Sequence, residues 1–208
     1  RLAGWEQHVW AAHNVPPEGK VSRELLASQI RAQPASTHAV EELLFVSMRK
    51  LEKGFERKFG AKLFKHQIDD GSAMQQISRF HCRDQASLLR LAKEIIRVFS
   101  DRLNLRELRK LSSHAEKDKL GSNKLLQDVL AKKIGEERAR QVFGPIVGAY
   151  DLRVGDAHPT SSKIGDALEL AGIDESQSYL RQGEQLIHNV GYSVWCIGKL
   201  LFEEKGNP

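Results

Sequence analysis

"DQASLLRLAKEIIRVFSDRL", residues 84–103, sets the fold class. Leu88, Leu91, Ile95 and Phe99 recur at steps of three and four, which is the pitch of an α-helix and not the alternation of a strand. The same period extends in both directions. Upstream, Val40, Leu44, Leu51, Phe55 and Phe59 recur at steps of four and seven and predict a long helix from Thr37 to Phe59. Ser36 or Thr37 is placed to cap it, because a side-chain oxygen there accepts from a free backbone N–H. Further upstream, "GWEQHVWAAHN" and "VSRELLASQIRAQ" read as two short amphipathic helices, the second with Val21, Leu25, Leu26 and Ile30 on one side.

Downstream, "KLLQDVLAKKI", "EERARQVFGPIVGAYDL", "SKIGDALELAGID" and "SYLRQGEQLIHNVGYSVWCIGKLLFEE" are helical, and the last is expected to be a core helix. Pro145 is expected to kink or restart the helix that contains it, since proline lacks an N–H and crowds the preceding turn. No segment shows a strand pattern. The fold class is therefore all-α, a helical bundle. A polar connector, "LSSHAEKDKLGSN", suggests a seam around 104–123, with a helical region 1–104 before it and a second, 123–205, after it, or else one domain throughout.

The composition narrows the function classes. The 208 residues are 40% hydrophobic, enough for a real core, and carry a formal net charge of +5, which permits a polyanionic partner. Two cysteines, Cys82 and Cys196, make no disulfide framework and fit a reducing setting with buried thiols. No apolar run approaches the roughly 18 residues of a membrane span, and no signal-peptide pattern opens the chain, so a cytoplasmic location away from the membrane is expected. The glycine-rich loops of ATP and dinucleotide sites are absent, so no cofactor is expected. Glu184 and His188, one helical turn apart, read as a structural contact and not as a metal site, and no metal is expected.

"MRKLEKGFERKFGAKLFKH", residues 48–66, is strongly basic. Arg49, Lys50, Lys53, Arg57, Lys58 and Lys62 are candidate substrate-binding residues, because cations attract a phosphate backbone. Phe55, Phe59 and Phe64 are interleaved with them. Exposed, they would stack on single-stranded bases; as a continuation of the stripe from Leu44 and Leu51, they would be buried and leave the cations as the solvated face.

"GAYDLRVGDAHPTSS", residues 148–162, holds Arg153 and His158. On an unbroken helix five residues turn about 500° and leave two side chains about 140° apart. They converge only if the helix is interrupted. Gly155 can end a helix, Pro159 disfavours helical geometry at His158, and Thr160, Ser161 or Ser162 can cap the next helix. Other arginine–histidine pairs of similar spacing occur: Arg31 with His38, Arg109 with His114, and Arg181 with His188. The first spans a proline, the second lies in the polar connector and the third within one continuous helix.

The Arg153–His158 stretch, with a leucine before the arginine and an alanine before the histidine, resembles the motif of the HEPN family, an arginine followed after four to six residues by a histidine. The resemblance covers residues 136–204. It implies a HEPN-like, all-α C-terminal half, a metal-independent endoribonuclease, and a setting in a toxin or an antiphage defence protein. It also implies RNA as substrate, a homodimer in which two motifs line one cleft, with the apolar segment 142–152 contributing, and further domains or a cognate partner protein. Arg153 would hold the phosphate, His158 would move a proton, and Asp156 would orient His158, with Tyr150 and Asp151 behind them. The product would carry a 2′,3′-cyclic phosphate. The family usually has a polar residue, often asparagine, directly after the arginine; here it is Val154. The alternative function is a non-catalytic helical dimerisation or regulatory module, or a domain that binds RNA or nucleotide without cutting it.

Overall fold

A computed structural model of the chain describes residues 3–7, 30, 32, 39–65, 73, 75–155 and 161–202. Residues Arg1–His38 and Ala39–Pro208 are separate compact units. In the first, residues 4–7 form a helical turn in which the Gln7 N–H donates to the Ala3 carbonyl at 3.0 Å. The remaining residues of its two expected helices, apart from Ile30 and Ala32, lie outside the described residues, as do the proposed caps Ser36 and Thr37.

The second unit is all-helical among the described residues. Its helices are α1 (Val40–Phe59), α2 (Gln85–Phe99), α3 (Leu105–Leu111), α4 (Ser122–Ile134), α5 (Glu136–Gly155), α6 (Ser161–Ala171) and α7 (Tyr179–Phe202), with short 3₁₀ turns at Arg79–His81 and Lys117–Lys119. Among the described residues, extended pairing is limited to one antiparallel bridge, Phe64 with Leu103, which ties the segment after α1 to the end of the α2 region.

The apolar stripes read from the sequence are the core. Leu44, Leu51 and Phe55 of α1 and Leu88, Leu91, Ile95 and Phe99 of α2 are buried, with Val40 and Phe59 packed at the edge. Helix α2 opens with a capping box. The Asp84 carboxylate accepts from the Ser87 N–H at 2.8 Å, while the Ser87 hydroxyl accepts from the Asp84 N–H at 3.0 Å.

Helix α7 is the spine. It packs along α1 and against α5, while α5 also packs on α2, α4 and α6. A Cβ at Gly191 would stand 3.0 Å from the Leu44 nitrogen, and one at Gly198 would stand 3.8 Å from the Leu51 Cα. Both residue numbers rise together, so α1 and α7 run in the same direction, seven residues advancing both contacts in step. The α5–α6 crossing is closer still. A Cβ on Gly148 would meet the Ala171 nitrogen at 2.4 Å and the Ala167 carbonyl oxygen at 2.7 Å, so only glycine allows these backbones to approach.

Pro145 does not divide its helix: α5 runs unbroken from Glu136 to Gly155. The carbonyl deprived of its helical donor by Pro145 is that of Gln141; one residue on, the buried Ser193 hydroxyl of α7 donates to the Val142 carbonyl at 2.6 Å and ties this turn to α7. The break falls earlier, at Gly135, whose φ of 88° lies in the region that glycine favours.

The segment 104–123 is folded into this unit. Leu108 is fully buried, and Asp128 of α4 accepts from the Ser112 hydroxyl at 2.7 Å and the Ser113 N–H at 3.1 Å. The two regions expected on either side of it, 1–104 and 123–205, meet through the α1–α7 pair.

Candidate functional site

Helix α5 is described as far as Gly155 and α6 from Ser161, and Gly148 of the first packs on Ala167 and Ala171 of the second. Asp156, His158, Pro159 and Thr160 lie outside the described residues, as do the Ser161 and Ser162 side chains. Arg153 is in the last turn of α5, where its charge also meets the negative end of the helix dipole. Its Nη1 donates to both carboxylate oxygens of Asp101, each at 2.9 Å. Val154 and Asp151 are exposed on the same turn.

Asp101 also lines a cleft of about 800 Å³ between the end of α2, α3, the start of α4 and α5. Leu105, Leu120 and Val147 provide apolar wall, and Tyr150, 44% exposed, stands at its edge. The charges around it are mostly spoken for. Arg109 donates to the Asp118 carbonyl at 3.1 Å, and the Lys119 ammonium lies 2.7 Å from Glu116. Lys124, exposed in the first turn of α4, has no ion-pair partner among the described residues. Arg153 is thus joined through Asp101 to a cleft wide enough for a small ligand.

The apolar residues of 142–152, expected at a dimer interface, are largely spent inside the fold. Phe143, Ile146, Ala149 and Leu152 are fully buried, because this face of α5 packs on its neighbours.

The basic stretch divides by direction. Arg49, Lys50, Lys53, Arg57 and Lys62 are exposed, as is Lys58. Lys58 is turned elsewhere: its ammonium donates to the Leu201 carbonyl near the end of α7 at 3.1 Å and lies 5.6 Å and 6.0 Å from the Phe59 and Phe202 ring centroids. Lys133 reaches the same carbonyl at 3.2 Å. The phenylalanines are not stacking groups. Phe55 and Phe64 are buried, and the Phe59 ring lies 4.8 Å from that of Phe55. Glu52 shapes the end of this region by accepting from the Leu63 and Phe64 N–H groups at 2.9 and 3.2 Å. Burial holds its carboxyl above the usual carboxylate range, and those donors oppose the shift.

Of the expected thiols, Cys82 is buried and Cys196 only partly so. Glu184 pairs with Arg181 at 2.6 Å and with Arg79 at 3.6 Å, while the His188 ring stacks with Tyr192. Two features had no part in the sequence reading. Asp101 lies 52 residues from Arg153 and carries no local signal. The row His188, Tyr192, Trp195 and Lys199, exposed except for the half-buried Trp195, had one, a helical spacing off the apolar stripe of α7.

Comparison with protein-family models, with curated proteins and with solved structures returns no match.

Proposed function

We propose that this chain is a HEPN-type, metal-independent endoribonuclease, acting as a homodimer in a cytoplasmic toxin or antiphage defence protein. The observation that carries the reading is the packing of α5 on α6. Gly148 of α5 lies against Ala167 and Ala171 of α6, so Arg153 stands at the end of one of two packed helices and not midway along a single one. The all-helical fold and the surface position of the Arg153 guanidinium support the same reading.

In this chemistry the ribose 2′-oxygen attacks the adjacent phosphorus and the 5′-oxygen leaves. His158 takes the 2′ proton or delivers one to the leaving oxygen, since imidazole titrates near neutral pH. Arg153 binds the phosphate and offsets the charge that grows on it. Asp156 orients the imidazole. The products are a 2′,3′-cyclic phosphate and a free 5′-hydroxyl.

The test is incubation of labelled RNA with wild type, Arg153→Ala and His158→Ala in EDTA. Cleavage by wild type alone, leaving cyclic-phosphate ends, is the expected result. Intact RNA with all three proteins, or equal cutting by all three, removes the proposal.

One observation favours a second reading, a domain that binds RNA or nucleotide without cutting. Arg153 is already held by Asp101, and the residue after it is the apolar Val154. Such a protein shifts RNA in a gel, with strong salt dependence, and leaves it whole.

A further inference from the structure

The outer side of the α1–α7 pair carries two rows of residues with one spacing. On α7 they are His188, Tyr192, Trp195 and Lys199; on α1 they are Val46, Lys50, Lys53 and Arg57. In each row the steps are four, three and four, which at about 100° per residue keeps all four side chains within a sector of about 60°. The contact residues fix where those sectors point. Leu44 and Leu51 of α1 face Gly191 and Gly198 of α7, while Phe45, Met48 and Phe55 of α1 and Leu186, Val190 and Ile197 of α7 turn into the core. Each row lies on the side of its helix opposite the core. Since the helices are parallel neighbours, both rows open on the same outer surface.

The α7 row is an aromatic ladder. The His188 and Tyr192 rings are 6.2 Å apart and parallel to within 4°, and the Tyr192 and Trp195 rings are 5.5 Å apart at 22°. The Lys199 ammonium lies 4.9 Å from the Trp195 ring centroid. Tyr192 is 53% exposed, an unusual position for an aromatic side chain in the middle of a 24-residue core helix. Beside the ladder, Lys50, Lys53 and Arg57 are exposed and have no acidic partner within ion-pair distance among the described residues; of the acids adjacent in sequence, Glu52 accepts from the Leu63 and Phe64 N–H groups and Glu56 lies at the edge of the row. Lys62 and Lys65 extend the positive charge past the end of α1.

The 5.5–6.2 Å between centroids offsets the exposed Tyr192 ring from both neighbours, leaving part of it open beside the cations; such a surface suits a polyanion with exposed ring faces. We infer that this face is a platform for single-stranded RNA, the bases contacting Tyr192 and its neighbours and the phosphates contacting Lys50, Lys53 and Arg57. The choice of RNA rests on the ribonuclease reading; the platform rests on the two rows. A duplex does not satisfy it, because its base faces are already stacked inside the helix.

The experiment separates the two claims by measuring binding in a His158→Ala background, so that cleavage plays no part. A labelled single-stranded RNA, the corresponding duplex and single-stranded DNA of the same sequence are titrated at two salt concentrations. Single-stranded RNA is expected to bind more tightly than either. Tyr192→Ala is expected to weaken it by about fivefold or more, and Lys50→Glu with Lys53→Glu to weaken it further and flatten its salt dependence. Circular dichroism and thermal melting of each variant should match the parent, because all three side chains are exposed. Unchanged affinity in both folded variants, or equal binding of duplex, overturns the platform; preference for DNA overturns the RNA assignment. Platform-dependent RNA binding by a chain whose unmutated form cuts nothing would leave the platform standing and remove only the nuclease.

Discussion

Nη1 of Arg153, in the last turn of α5, sits 2.9 Å from each carboxylate oxygen of Asp101, two residues past the end of α2. The arginine side chain is 32% exposed and the aspartate 44%, so the pair is screened by solvent. Breaking it should cost little stability, about 1 kcal/mol or less. Its effect on RNA should be larger. If Arg153 holds phosphate as proposed, Asp101 competes for the same guanidinium, so Asp101→Asn is expected to tighten RNA binding at low salt while the melting temperature stays near that of wild type. Arg153→Ala should weaken binding in the same assay. Weaker binding by Asp101→Asn would mean that Arg153 is a structural cation only.

The α5–α6 crossing offers a stability test with an internal control. Gly148→Ala would drive a methyl group into backbone atoms at 2.4 and 2.7 Å, and a backbone clash cannot be relieved by a rotamer change. A loss of about 1–3 kcal/mol or more is expected. Gly144→Ala, whose new carbon would have its nearest neighbour at 3.5 Å, should cost much less. Urea unfolding of the two variants decides the matter, and equal midpoints would refute the close crossing.

Glu52 predicts a pH effect. Burial holds its carboxyl above the usual range, so the folded chain binds that proton more readily than the unfolded chain. Its contribution to stability is therefore greatest below the unfolded pKa and declines as pH rises through the folded value. Glu52→Gln keeps an oxygen for the Leu63 and Phe64 N–H groups and should remove this decline. Glu52→Ala leaves two donors in a buried segment unpaired and should cost about 1–3 kcal/mol. Denaturation midpoints across the acidic range check both outcomes.

The two thiols should differ in reactivity. Burial in the first place, and the neighbouring Asp84 charge in the second, push the Cys82 thiol up to about 11. Thiolate is the reactive form, so Cys82 should label slowly with a maleimide at mildly alkaline pH, while the partly buried Cys196 labels faster. In denaturant the two rates should converge. Faster labelling of Cys82 in the native protein would contradict its burial against α7, where a Cβ on Gly183 would stand 2.6 Å from its Sγ.

Much of the fold is legible in single stretches. The apolar steps of 84–103 and 40–59 emerge as core stripes because a helix is written by residues three and four apart, within reach of local inspection. Gly135 separates α4 from α5 for a similarly local reason. Pro145 does not break α5, and the turn around it is tied to α7 by the Ser193–Val142 hydrogen bond, a contact with no trace in the sequence around the proline. Asp101 is equally silent from Arg153, since nothing near either residue encodes their meeting.

The sequence by itself determined that the chain is helical, which faces are apolar and where cations concentrate, for these depend on composition and period. Only the tertiary structure decided that α1 and α7 run parallel, that Lys58 turns to the end of α7 while Lys50 and Lys53 face outward, and that an aromatic ladder stands beside them. Those outcomes depend on which glycines admit a second backbone and on contacts between residues more than a hundred positions apart. Such contacts arise from packing the whole chain at once, and no window along the sequence contains them.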